Sequence, residues 1–186
     1  MRTFILTSLI VILTTTLAFA IQQQHENKKL AQLEDSLRQD IPRILCVNEN
    51  IATGAQPKPE AFAKLAQSGF RSVLSLRTDK EDVDLKKDRE LTEAAGMSYI
   101  NIPVVSAAPD PKRVDEFIRA VKKKKNHPML IYCGSANRVA AFWMIYRVVE
   151  DGWTEEKAME EAVKIGLTRP ELKAFVQSYL AQRQQK

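Results

Sequence analysis

The chain has 186 residues, enough for one domain and a leader, and its 45% hydrophobic and 27% charged residues are the balance of a globular protein. A net charge of +5, with no basic stripe interleaved with aromatics, is too mild for a nucleic-acid binder but suits an anionic small substrate. His25 and His127 are far apart and follow no metal-ligand spacing, so neither a metal nor another cofactor is expected.

Residues 1–20 read as a targeting segment. Arg2 gives a positive start, Phe4 to Ala20 carries no charge, and Ala18-Phe19-Ala20 is a small-x-small cleavage site before polar Gln22 to Gln24. Cleavage after Ala20 would release an exported, periplasmic domain. An uncleaved segment would tie that domain to the membrane, still outside the cytoplasm. No other membrane contact is expected. Residues 21–42 form a polar lead-in, a linker or weak helix, and residues 43–183 form the folded domain.

Within the domain, apolar runs alternate with amphipathic stretches, the pattern of an α/β protein with a parallel-type central sheet flanked by helices. Ile44 to Val47 is a first short strand, continued at Ile51-Ala52. Pro59 to Ser68 is a helix ended by Gly69, and Arg71 to Leu76 is a strand. Asp79 to Asp84 is a charged loop, Leu85 to Ala95 a helix, and Tyr99 to Ile102 a strand ended by Pro103. In Pro111 to Lys124, Val114, Phe117, Ile118 and Val121 fall at i, i+3, i+4 and i+7, so this is an amphipathic helix. Lys122 to Lys125 is its solvated end, where cations suit the negative pole of the dipole.

Met129 to Tyr132 is a continuous apolar run, as expected of a central strand buried on both faces. Asn137 to Glu150 is apolar nearly all round, as expected of a buried helix. Two helices follow, the last opened by a capping box, Thr168-x-x-Glu171, with Pro170 in its first turn.

The segment Cys133-Gly134-Ser135-Ala136-Asn137-Arg138 joins that strand to that helix through small residues. In open α/β sheets ligands bind beyond the carboxyl ends of the strands. Loop amides and a helix N-terminus offer donors to an anion, and the same field favours the nucleophilic thiolate of Cys133. Arg138 can hold two anionic oxygens at once. Gly134, Ser135, Ala136 and Asn137 would supply the cradle, with Arg77, at another strand's carboxyl end, bordering the pocket or pairing with Glu81.

Several stretches resemble the bacterial phosphatase-like domain of beta-lactamase-hydrolase-like proteins, a relative of the dual-specificity and tyrosine phosphatases. They are Thr53-Gly54-Ala55-Gln56-Pro57, Gly69 to Arg77 followed by Glu81, Gly96 to Val104, and the Cys133 loop. The resemblance covers Ile44 to Val149. It implies a cysteine-based phosphatase-like fold and phosphomonoester hydrolysis through a phosphocysteine, on a phosphorylated protein or small molecule. It also implies a general acid, for which Asp110 is placed; Asp110 is equally a good N-cap before Pro111. Asp79, Glu81 and Asp82 are reserve acids. Three positions depart from the family: Ala136 replaces a glycine, Val139 a hydroxyl residue that helps expel the thiolate, and Tyr132 the histidine often found before the cysteine. The missing hydroxyl at Val139 implies slow turnover, or none, and the methyl of Ala136 would crowd the loop amides around the anion.

Two other functions fit the same residues. The six-residue span from Cys133 to Arg138 resembles that of rhodaneses, hence a sulfurtransferase or persulfide-handling protein. A non-catalytic anion-binding module would tolerate Ala136 and Val139. Cys46, in the first strand, is either a buried hydrophobe or, if that strand neighbours Met129 to Tyr132, a disulfide partner that switches Cys133 off.

Overall fold

The computed structural model describes the backbone of residues 2–184 and the side chains of residues 20–183. The cleavage site and the apolar run before it therefore lie, in their side chains, outside the described residues. The elements in chain order are α1 (Arg2–Leu37), β1 (Leu45–Asn48), β2 (Ile51–Gly54), α2 (Pro59–Gln67), β3 (Ser72–Ser75) and α3 (Leu85–Ala94). There follow β4 (Ser98–Asn101), α4 (Pro111–Lys122), β5 (Met129–Tyr132), α5 (Asn137–Val149), α6 (Glu155–Ile165) and α7 (Pro170–Gln184).

The five strands form one sheet in the order β1-β2-β5-β3-β4, with β2, β5, β3 and β4 parallel and β1 antiparallel at the edge. All four residues of β5 are buried, as its continuous apolar run requires. Successive residues of a strand point to opposite faces. Met129, Ile131 and Cys133 thus enter one core with α4, α5, α6 and α7, while Leu130 and Tyr132 enter a second with α2 and the end of α1. Helix α5 lies in the first core. Val139 through Ile145 are all buried, Phe142 meets Phe117 edge-on, and the Phe142 and Phe175 rings stack. Truncating Phe142 to alanine there would cost about 3–5 kcal/mol.

Two expectations are corrected, and one left open between two readings is decided. The first strand does not run on at Ile51; it folds back as a hairpin because Asn48 Oδ1 accepts the N–H groups of Asn50 and Ile51, both at 2.9 Å. Of the two readings of the polar lead-in, linker or weak helix, the helix holds. It runs to Leu37, and Leu37 and Ile41 are fully buried in the second core while Glu34 accepts the Cys46 N–H at 2.7 Å. The capping box before α7 is not used as expected, because the Thr168 amide and hydroxyl both donate to Asn137 Oδ1 on α5, at 2.8 and 3.1 Å.

Candidate active site

The parallel register fixes which residues can meet. Ser75 pairs with Tyr132, so Leu76 and Arg77 leave β3 level with Cys133 leaving β5. Leu76 N–H donates to the Tyr132 carbonyl at 2.9 Å, and Cys133 N–H to that of Gly54 at 3.4 Å, which holds the cysteine between the ends of β2 and β3. Cys133 is buried, whereas Gly134 and Ser135 are exposed. Ala136 turns the chain into α5 with φ 66° and ψ −7°. That left-handed conformation costs a residue with a β-carbon about 1 kcal/mol or more, which is why glycine is the natural occupant. The free N–H groups of the first turn of α5 face the loop end.

Arg138, two residues into α5, is buried and fully directed. Its Nη1 donates to the carbonyls of Leu76 and Val104 at 2.9 and 2.8 Å and to Glu81 Oε1 at 2.6 Å, and Nη2 donates to Glu81 Oε2 at 2.7 Å. Burial by itself would lower the Arg138 pKa. The Glu81 carboxylate and the negative charge of an ionised Cys133 outweigh it and raise the value. Glu81 resists burial in the same way: bonds from Arg138 and the Thr78 N–H, with the charges of Arg138 and Arg77, hold its pKa at about 2. A carboxyl that acidic cannot donate a proton near neutrality, so Glu81 is a clamp and not the reserve acid expected.

Arg77 is also buried, at 8% exposure, and lies over the loop: a β-carbon on Gly134 would sit 3.4 Å from Arg77 Nη1 and 3.6 Å from Arg138 Nη2. Both readings of Arg77, bordering the loop and pairing with Glu81, hold together. Its Nε is 2.6 Å from Glu81 Oε2 but out of line for a hydrogen bond, so the contact is one of charge and that N–H is unsatisfied. Nη1 donates to Gln56 Oε1 at 3.0 Å, Gln56 Nε2 to Asp88 at 2.9 Å, and Tyr132 OH to the same Asp88 oxygen at 2.7 Å. This buried chain from Arg77 to Tyr132 was not assigned from the sequence. Gln56, in the Gly54-Ala55-Gln56-Pro57 stretch, was its one visible signal.

Asn137 ties the loop to the connection between α6 and α7. Oδ1 accepts from Thr168 and from Arg169 N–H at 3.0 Å, clamping the α6–α7 connection, while Nδ2 reaches Ser135 Oγ at 3.4 Å. Asp110 caps α4, accepting Lys112 N–H at 2.9 Å, and is exposed. It lines a depression of about 270 Å³ with Thr78, Asp79, Lys80 and Arg113.

The switch disulfide is ruled out by the topology. Cys46 pairs with Ala52, and Ala52 with Leu130, so Cys46 sits two strands and three residues away from Cys133. Two strand spacings are about 10 Å and three residues about another 10 Å, against a Cα limit of about 7 Å for a disulfide. Both cysteines are free.

A five-stranded, mostly parallel sheet between helical layers, with a cysteine-to-arginine loop at the carboxyl end of its central strand, defines the cysteine-based phosphatase fold. The DUF442 protein of Shewanella putrefaciens shares it with a TM-score of 0.67 at 23% identity, over 79% of this chain and 97% of that one. P. aeruginosa TpbA does so with a TM-score of 0.61 at 22% identity, over 73% and 84%. The core catalytic domain of the S. cerevisiae PP-IP phosphatase SIW14 gives 0.64 at 17% identity, over 74% and 85%. Residues 43–149 match the phosphatase-like domain of beta-lactamase hydrolase-like protein, and the chain belongs to that family. The beta-lactamase hydrolase-like protein of Xylella fastidiosa is 29% identical over 111 residues, 58% of this chain and 26% of that one. That of Agrobacterium fabrum is 26% identical over 121 residues, 62% and 27%. The chain thus spans about a quarter of the length of these curated relatives.

Proposed function

We propose that the chain hydrolyses phosphate monoesters through a phosphocysteine, in the manner of tyrosine and dual-specificity phosphatases. The observation that carries this reading is Cys133, buried at the end of the central strand beside a guanidinium, Arg138, whose direction is set by Glu81 and two carbonyls. The Cys133 thiolate attacks phosphorus; the S–P bond forms as the P–O bond to the leaving group breaks, and Asp110 gives that oxygen its proton. Water then attacks phosphorus, Asp110 takes a proton back, and the S–P bond breaks to restore the thiolate. Arg138 and the amides of Gly134 to Asn137 hold the equatorial oxygens as charge develops. Arg77 keeps Glu81 in place and adds positive potential above Gly134.

A phosphorylated substrate is the chemistry this site shares with its structural neighbours, since TpbA has been crystallised with pTyr and SIW14 is a PP-IP phosphatase. Val139 has no hydroxyl to help the thiolate leave, so the second step is slow. The uncharged run from Phe4 to Ala20 supports export, with the domain periplasmic or membrane-tethered. The six-residue span of the loop favours a second reading, sulfur transfer. Assaying purified protein on an aryl phosphate and on thiosulfate with cyanide separates the two. Release of inorganic phosphate without thiocyanate is expected; thiocyanate alone would transfer the site to sulfur chemistry.

A further inference from the structure

Arg43 has no part in the reaction just described. It stands between α1 and β1 with φ 57°, a left-handed backbone that costs a non-glycine residue about 1 kcal/mol or more. Such strain persists where the surroundings hold it, often at a ligand site. Its side chain is exposed and makes no ion pair or hydrogen bond among the described residues, whereas Arg77, Arg138 and Arg147 are each gripped by carboxylates.

The guanidinium is nevertheless placed. It lies across Gly166, the residue that ends α6: a β-carbon on Gly166 would sit 2.6 Å from Arg43 Nη1. The same point is 3.6 Å from Cβ of Ala136, the residue that turns the Cys133 loop into α5. Glycine at 166 is therefore what lets Arg43 rest beside the loop. Asn137 holds this floor in position, because its Oδ1 binds Thr168 and Arg169 just beyond Gly166. The loop is thus flanked by two guanidiniums, Arg77 over Gly134 and Arg43 beside Ala136. The first shares the Glu81 carboxylate with Arg138, and the second makes no ion pair among the described residues.

We infer that Arg43 forms a second anion subsite beside the Cys133–Arg138 cradle, and that the substrate is a small molecule with two neighbouring phosphates, a diphosphate or a vicinal bisphosphate. The inference rests on the reading that the loop holds a phosphate. One phosphate enters the loop; the other meets the free fork of Arg43, which can bind two of its oxygens. A lone phosphate ester would leave Arg43 unused.

The test is to titrate inorganic phosphate and inorganic diphosphate into the full chain by calorimetry, and to use both as inhibitors of aryl phosphate hydrolysis. Diphosphate is expected to bind about tenfold or more tightly than phosphate, the effect of one charge-assisted pair. Arg43→Gln should bring that ratio close to one. Arg43→Gly should do the same, and it relieves the left-handed backbone, which guards against a folding failure. Equal binding of the two anions by the wild type, a ratio unchanged in both variants, or no binding of either anion would overturn the inference. Calorimetry reads binding without turnover. Preference for diphosphate without hydrolysis would therefore sink the catalytic reading alone, and hydrolysis without preference would sink the subsite alone.

Discussion

At the scale of single residues, the pair Arg138 and Glu81 decides whether Cys133 has a partner. Lysine at 138 would keep one charge but lose both the fork toward Glu81 and the fork toward the anion. Arg138→Lys should therefore lose about a hundredfold or more in kcat/KM on an aryl phosphate. A change under about threefold, less than 1 kcal/mol, would mean that Arg138 does not touch the reacting anion. Glu81→Gln leaves two buried guanidiniums without their counter-charge. Since Glu81 is partly exposed, the cost should be about 2 kcal/mol, a fall of about 4–8 °C in Tm. Its pH dependence has a definite sign. The Glu81 pKa is depressed to about 2. The stability it adds is complete above the ordinary carboxyl value of about 4.3 and is lost as pH falls from there through about 2. The Tm gap between wild type and Glu81→Gln should narrow over that interval, and a constant gap would contradict the clamp. Cys133 and Arg138 were visible in the sequence because a strand and a helix, each apolar, flank them. The double grip of Glu81 was not, because it depends on β3 and β5 being neighbours in one register, which no local pattern states.

At the scale of elements, the loop between β5 and α5 and the first turn of α5 carry Ala136 and Val139, two of the three departures from the family. Ala136 is left-handed and fully buried. Ala136→Gly would relieve about 1 kcal/mol of backbone strain and lose about 0.8 kcal/mol of methyl burial. Its Tm should therefore stay within about 3 °C of wild type, while KM should fall because a glycine lets the loop amides settle around the anion without left-handed strain. A KM that rises would show the methyl to be part of the fit. Val139→Ser restores a hydroxyl next to Arg138. Wild type should show a burst of one equivalent of product followed by a slow steady state, and the variant a smaller burst with a faster steady state. No burst and no rate gain would place the slow step elsewhere. The sequence showed α5 through its all-round apolar character. The hairpin of β1 and β2 was hidden because an asparagine turn, not a glycine, reverses the chain. Helix α1 had a signal, Leu30, Leu33 and Leu37 spaced at i, i+3 and i+7, diluted by charged neighbours.

At the scale of the whole molecule, the two ends of the sheet have separate roles. Helix α1 passes Phe70 and Pro128 at the amino ends of the parallel strands through Leu30 and Leu33, and the segment that follows it reaches Gly54, at the end that carries Cys133, through Ile41 and Pro42. Its N-terminal part therefore leaves the domain on the side away from the Cys133 loop. Cys46 belongs to that remote side. Burial, helped by the Glu34 charge, pushes its thiol up to about 12. At pH 8 it should alkylate far more slowly than a free thiol, and the chain should keep two free thiols under oxidising conditions. A Cys46–Cys133 bridge in the oxidised protein would contradict the topology of β1, β2 and β5.

The most direct measurement of the central claim is to trap the intermediate. Full-length protein mixed with an aryl phosphate and quenched in acid within the burst should yield one phosphorylated peptide, the one containing Cys133. Cys133→Ser should show neither that thiophosphate nor turnover, with its Tm preserved. Hydrolysis at the wild-type rate in Cys133→Ser, or phosphate trapped on any other residue, would contradict the assignment of Cys133 as the nucleophile.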